Sequence, residues 1–108
     1  MEKLVNNFIR FANALDVEGT LALFTADAVI EDVSVGSAFI GREGIRRYLE
    51  QYFVAYQTAS RLLSLEQPHD LVALARIDFT GTFGHEIGSL QIQASAAGLI
   101  ERIDADLE

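Results

Sequence analysis

Apolar residues at helical spacing open the chain: Leu4, Val5, Phe8, Ile9, Ala12 and Leu15 share one face of a helix predicted over residues 3–15. Asp16 ends that helix or caps the next. Residues 18–25 form a short second helix presenting Leu21, Leu23 and Phe24, and the alternation from Ala28 to Val33 reads as a strand that carries Glu31 and Asp32. Gly36 and Gly41 mark a loop. Beyond it, Ile45, Tyr48, Leu49, Tyr52, Phe53 and Tyr56 follow the i, i+3, i+4, i+7, i+8, i+11 series of a third helix.

From residue 60 the period falls to two. Four runs, Ser60–Glu66, Leu71–Gly81, Ile87–Ser95 and Leu99–Leu107, are separated by turn signals at Gln67-Pro68-His69-Asp70, around Phe83-Gly84-His85, and at Ala96-Ala97-Gly98. Connections this short join antiparallel neighbours, so the second half is a meander. A sheet with one oily face needs a cover, and the three helices of the first half supply it. The pattern therefore predicts one α+β domain over residues 1–108, in the order α-α-β-α-β-β-β-β, with the helices in the concave face of a strongly curved, mainly antiparallel sheet that encloses a small apolar pocket. In the second run the alternation separates Leu71, Ala73, Ala75, Ile77 and Phe79 from Arg76 and Asp78. Placing the two charges in the pocket leaves the apolar stripe on the convex face, next to Gln91, Gln93 and Ser95, where it predicts a homodimer through that sheet face.

Composition narrows the function classes. Sixteen acids against eight bases give a formal charge of −8, which repels a phosphate backbone and offers no polybasic run to an anionic membrane. Neither nucleic acid nor membrane is expected as a partner. The start, Met1-Glu2-Lys3 with Asn6, Asn7 and Arg10, lacks the unbroken apolar run of a signal peptide, which predicts a cytoplasmic protein. There is no cysteine, and two histidines are too few for an imidazole cluster, so no metal site is expected. Chemistry falls to carboxylates, arginine, tyrosine or a lone histidine.

Three segments carry a resemblance: Phe11-Ala12-Asn13-Ala14-Leu15-Asp16-Val17-Glu18-Gly19, Leu23-Phe24-Thr25-Ala26-Asp27-Ala28-Val29-Ile30-Glu31-Asp32, and Gly41-Arg42-Glu43-Gly44-Ile45-Arg46. Together they resemble the opening of ketosteroid isomerase-like and polyketide cyclase-like (SnoaL-like) domains of the nuclear transport factor 2-like superfamily, and Gly98-Leu99-Ile100 resembles the usual start of their last strand. The resemblance implies a cone-shaped, cystatin-like α+β roll. It also implies a pocket for a small hydrophobic organic molecule and cofactor-free proton transfer, as in isomerisation, cyclisation or dehydration.

Position by position, Asp32 matches the carboxylate that ketosteroid isomerases use as the proton-shuttling base. The two acidic donors that stabilise the dienolate in those enzymes fall at Phe8 and Leu90, so the resemblance does not extend to an efficient steroid isomerase. Arg76-Ile77-Asp78 resembles the Arg-x-Asp of limonene epoxide hydrolase-like members. The rest of that set is incomplete: the first-strand positions read Ile30 and Asp32, and the last-strand position is Ala105 between Asp104 and Asp106.

The candidate catalytic residues are thus Asp32, Asp78 and Arg76, and the candidate pocket lining is Phe8, Phe24, Ile30, Tyr52, Tyr56, Leu90 and Ile92. Plainer roles stand beside these. Asp32 fits a solvated acid at a strand end, Arg76 with Asp78 fits a structural ion pair, and Tyr48, Tyr52 and Tyr56 fit a core stripe whose hydroxyls reach a cavity. His85 sits in a hairpin turn, and Arg46 with Glu50 reads as an i, i+4 pair on a solvated helix face. A binding or dimerisation module that kept the cone and lost the chemistry is the alternative to an enzyme, and an epoxide-hydrolase-like reaction through Arg76 and Asp78 is a second.

Overall fold

The computed structural model describes all 108 residues. Helix α1 (Glu2–Asn13) buries Val5, Phe8 and Ala12. It ends where Leu15 enters the left-handed region at φ 55° and the amides of Leu15 and Asp16 turn back onto the carbonyls of Ala12 and Phe11, a Schellman closure. Asp16 then caps α2 (Val17–Leu21), its Oδ1 accepting the Gly19 amide at 2.8 Å. The second helix is shorter than its sequence pattern: Phe24 belongs to the start of strand β1 (Phe24–Asp32). A four-residue strand, β2 (Ser37–Ile40), occupies what reads as loop in the sequence and pairs antiparallel with β1.

Helix α3 (Gly41–Leu49) turns Gly44, Ile45, Tyr48 and Leu49 inward and then widens into a π-helical turn at Glu50–Val54, which keeps Phe53 buried. Arg46 pairs with Glu18 of α2 and with Glu43, so the third helix is tied to the second rather than to its own Glu50.

Strands β3 (Ala59–His69), β4 (Val72–Gly81), β5 (Gly84–Ala94) and β6 (Ile100–Leu107) form the meander. The sheet order is β2-β1-β6-β5-β4-β3, and every neighbouring pair is antiparallel except β1 with β6. Asn13, the last residue of α1, exchanges two hydrogen bonds with the backbone of Ser60 at 2.9 and 2.6 Å, clamping the first helix onto β3.

The faces of β4 are the reverse of the sequence expectation. Ala73, Ala75 and Ile77 are fully shielded in the core beneath the helices, while Leu74 and Arg76 are exposed on the outer face and Asp78 is half-buried there. Apolar burial decides which side of an alternating strand faces in. The outer face instead carries Arg76, Ser89, Gln91, Arg102 and Asp104, so the apolar stripe supplies no argument for a homodimer through it. No helix is long and apolar enough to cross a membrane.

Candidate functional site

A cavity of about 310 Å³ opens between the end of α3 with its π turn, the last residues of β1, the β4–β5 hairpin and the end of β6. That volume is at the lower end of the range for small-molecule sites. Most of its lining is apolar, and its floor includes Phe8, Ile30, Phe53, Leu90 and Ile103, all buried.

Asp32 reaches this floor because it shares the inner face of β1 with Ala28 and Ile30, four and two residues earlier. It is only 7% exposed. The strand ends at Asp32 in a turn closed by Gly36 at φ 70°, whose amide bonds back to the Asp32 carbonyl at 3.0 Å. Within that turn Ser34 gives its amide (2.9 Å) and its hydroxyl (2.5 Å) to Oδ1, an Asx-type arrangement. The other oxygen, Oδ2, accepts the Tyr48 hydroxyl at 2.7 Å. All three donors are uncharged, so no cation neutralises the carboxylate.

Tyr48 stands in an aromatic wall. Its ring lies 5.0 Å from Phe39, 5.3 Å from Tyr52 and 6.1 Å from Phe53. Burial, then the hydrogen bond to Asp32 and the negative charge of that carboxylate, push the Tyr48 hydroxyl far above the ordinary tyrosine range. Tyr48 therefore remains a donor at any physiological pH.

At the mouth the end of the third helix is latched to the β4–β5 hairpin: Thr82 N donates to Tyr56 O at 2.9 Å. Gly81 permits this approach, since a Cβ there would lie 2.7 Å from the Tyr56 carbonyl oxygen. The Tyr56 and Phe83 rings meet edge to face at 5.9 Å, and both are partly open to solvent.

Among the pocket residues expected from sequence, Phe8, Ile30, Tyr52, Tyr56 and Leu90 line the cavity. Phe24 and Ile92 do not. Phe24 begins β1, far along the strand from Asp32, and packs edge to face on Phe8 at 6.1 Å; Ile92 is buried between Ala73 and Ile103. Arg76 and Asp78 also lie outside the cavity, on the outer face. Arg76 is bidentate to Glu108 at 2.6 and 2.9 Å. Asp78 Oδ2 accepts from Arg61 at 3.1 Å, and its Oδ1 lies 2.5 Å from His85 Nε2, a hydrogen bond when that nitrogen carries the proton. The Arg-x-Asp pair is thus two separate ion pairs across the outer surface.

Sequence reasoning did not single out the Tyr48 contact, Ser34, Phe83 or Glu86. Asp32-Val33-Ser34 carried a usable Asx-turn signal, and counting back by twos from Leu90 through Gly88 puts Glu86 on the cavity side. The Tyr48–Asp32 bond joins residues sixteen apart on different elements and leaves no local trace.

The sequence profile of the SnoaL-like domain matches residues 5–104. No curated protein matches. Among solved structures, the chain is similar to the epoxide hydrolase/cyclase-like enzyme SalBIII of pyran ring formation in the polyether salinomycin, at 19% identity and a TM-score of 0.87, covering 99% of this chain and 89% of that one. It is similar to RV0760c from Mycobacterium tuberculosis in complex with estradiol-17beta-hemisuccinate, at 22% identity and a TM-score of 0.82, covering 94% and 88%. A protein of unknown function with a cystatin-like fold from Methylobium petroleophilum superposes with a TM-score of 0.85 at 20% identity, covering 98% and 74%. At these identities the likeness is one of fold.

Proposed function

We propose that this chain, which belongs to the SnoaL-like domain family, binds a small hydrophobic organic molecule and moves a proton on it without a cofactor, Asp32 acting as general base in an isomerisation, cyclisation or dehydration. The observation that carries this reading is a carboxylate buried at the floor of an apolar cavity, held by the Tyr48 hydroxyl and Ser34 and paired with no cation. A carboxylate so placed can take a proton from a carbon beside a carbonyl, leaving an enolate, and return it at another carbon. The steroid conjugate bound by RV0760c and the cyclisation linked to SalBIII support a hydrophobic ligand for a cavity of this fold.

Phe8 and Leu90 are apolar lining, so stabilisation of the enolate oxygen falls to the tyrosines, with Tyr52 on the cavity wall as the available hydroxyl. The same two residues favour the second reading, a binding module without chemistry. The hydrolase reading is not carried forward, because Arg76 and Asp78 do not reach the cavity.

Deuterium exchange at the α-carbons of 2-decalone, followed by NMR, separates the two remaining readings without knowledge of the natural substrate. The parent is expected to accelerate exchange and Asp32→Asn to abolish the acceleration while still binding the ketone. A ketone that binds without accelerated exchange refutes the general-base role and leaves the binding module.

A further inference from the structure

The charges around the cavity point to the chemical class of its ligand, an inference that rests on reading the cavity as a ligand site. The lining contains three acids, Asp32, Glu86 and Asp106, and no Lys, Arg or His. These acids are not equivalent. Asp32 is engaged by its three neutral donors on the floor, and Asp106 accepts the Leu107 amide at 2.8 Å. Glu86 enters none of the protein's ion pairs. It sits at the mouth, opposite Phe79 across the β4–β5 ladder and in phase with Gly88 and Leu90, which are buried on the inner face.

Tyr56 and Phe83, 41% and 39% exposed, line the same cavity and pair edge to face with each other. A cavity that holds a carboxylate without a partner and open aromatic rings is a setting that attracts a cation, the rings through their quadrupoles and the carboxylate through its charge. The formal charge of −8 adds a long-range field of the same sign. An anionic ligand would meet Glu86 on entry and Asp32 at the floor, where little water screens the repulsion.

We propose that the cavity selects a hydrophobic amine: the ammonium seats at the mouth against Glu86 and the Tyr56 and Phe83 rings, the hydrocarbon body fills the apolar floor towards Asp32, and carboxylates of the same skeleton are rejected. The proton-transfer carbon and the ammonium then lie at opposite ends of the ligand. One end is set by Asp32 and the other by Glu86, so binding and chemistry are separable.

Calorimetric titration with adamantanemethanol, adamantanemethylamine and adamantanecarboxylate tests this on the intact protein, since the three probes share one skeleton and differ in charge. The amine is expected to bind about fivefold more tightly than the alcohol, and the carboxylate at least about fivefold more weakly, the scale of one solvent-accessible charge pair. Glu86→Gln should erase the amine's advantage over the alcohol, and Glu86→Lys should turn the preference towards the carboxylate. Equal affinities for all three probes, or an amine advantage that survives Glu86→Gln, overturn the charge selection while the ligand-site reading stands. Failure of the uncharged alcohol to bind brings down the ligand-site reading, and the amine proposal with it.

Discussion

Asp32 and Asp78 lie on opposite faces of one sheet, both drawn out of bulk water, and they differ in what surrounds them. Asp32 is met by a serine amide, a serine hydroxyl and a tyrosine hydroxyl inside a closed aromatic wall. Asp78 is met by Arg61 and His85, both more than half exposed. Neutral donors fix a carboxylate in place and leave its charge for something else to use, whereas a cationic partner such as Arg61 consumes that charge. Shielding is common to both acids; what separates them is the charge of their partners, and the role proposed for Asp32 rests on that difference.

The most severe way to break this contrast is to open the wall. Phe53 is buried against Tyr48 and forms an edge-to-face pair with Phe79 at 6.3 Å. Phe53→Ala is expected to lose about 3–5 kcal/mol by cavity formation, read by urea denaturation, and to admit water beside Asp32. A loss below about 1 kcal/mol would mean that the wall does not pack as described.

A smaller effect sharpens the claim that the partner of Asp32 is a neutral hydroxyl. In the unfolded chain Tyr48 releases its proton near its ordinary value of 10.0, while in the folded protein it holds that proton to higher pH. The stabilisation linked to this shift is fully present below pH 10 and declines as pH rises above it, by up to about 1.4 kcal/mol per unit, until the folded hydroxyl titrates. Between about pH 9 and 11 the parent should therefore lose on the order of 1 kcal/mol more stability than Tyr48→Phe. Parallel alkaline profiles for the two proteins would remove the neutral-donor account.

The smallest effect is expected on the outer face. Asp78→Ala returns Arg61 and His85 to water they already largely touch, at 75% and 58% side-chain exposure. A loss of about 0.5 kcal/mol is expected by thermal or urea unfolding, shrinking further in high salt. A loss above about 2 kcal/mol would place Asp78 with the buried acids and erase the contrast.

How far the sequence discloses these two carboxylates follows from the period-two rule. In β1 the phase is fixed by Ala28 and Ile30, so Asp32 falls on the inner face without further information. In β4 the alternation separates Ala73, Ala75 and Ile77 from Arg76 and Asp78 equally clearly, but period alone does not say which set faces the helices. Reading the charges as pocket residues inverted the strand, although the apolar set has the stronger claim to burial. The element order and the meander were legible because their turn signals are local. The four residues of β2 were not, being too few for a pattern and made a strand by pairing with β1. The π turn and the reach of Tyr48 to Asp32 likewise depend on tertiary packing.

The position of β6 has a consequence for synthesis. This last strand lies in the middle of the sheet, joining β1 on one side to β5 on the other. On the ribosome, the β1–β2 pair and the β3–β4–β5 meander emerge before the strand that unites them, each with an unpaired edge and an oily inner face that carries Ile30 in one and Leu90 in the other. The chain therefore passes through a stage in which two half-sheets are exposed to chaperones and to each other's copies, and its vulnerability to aggregation should end only when residues 100–107 are released.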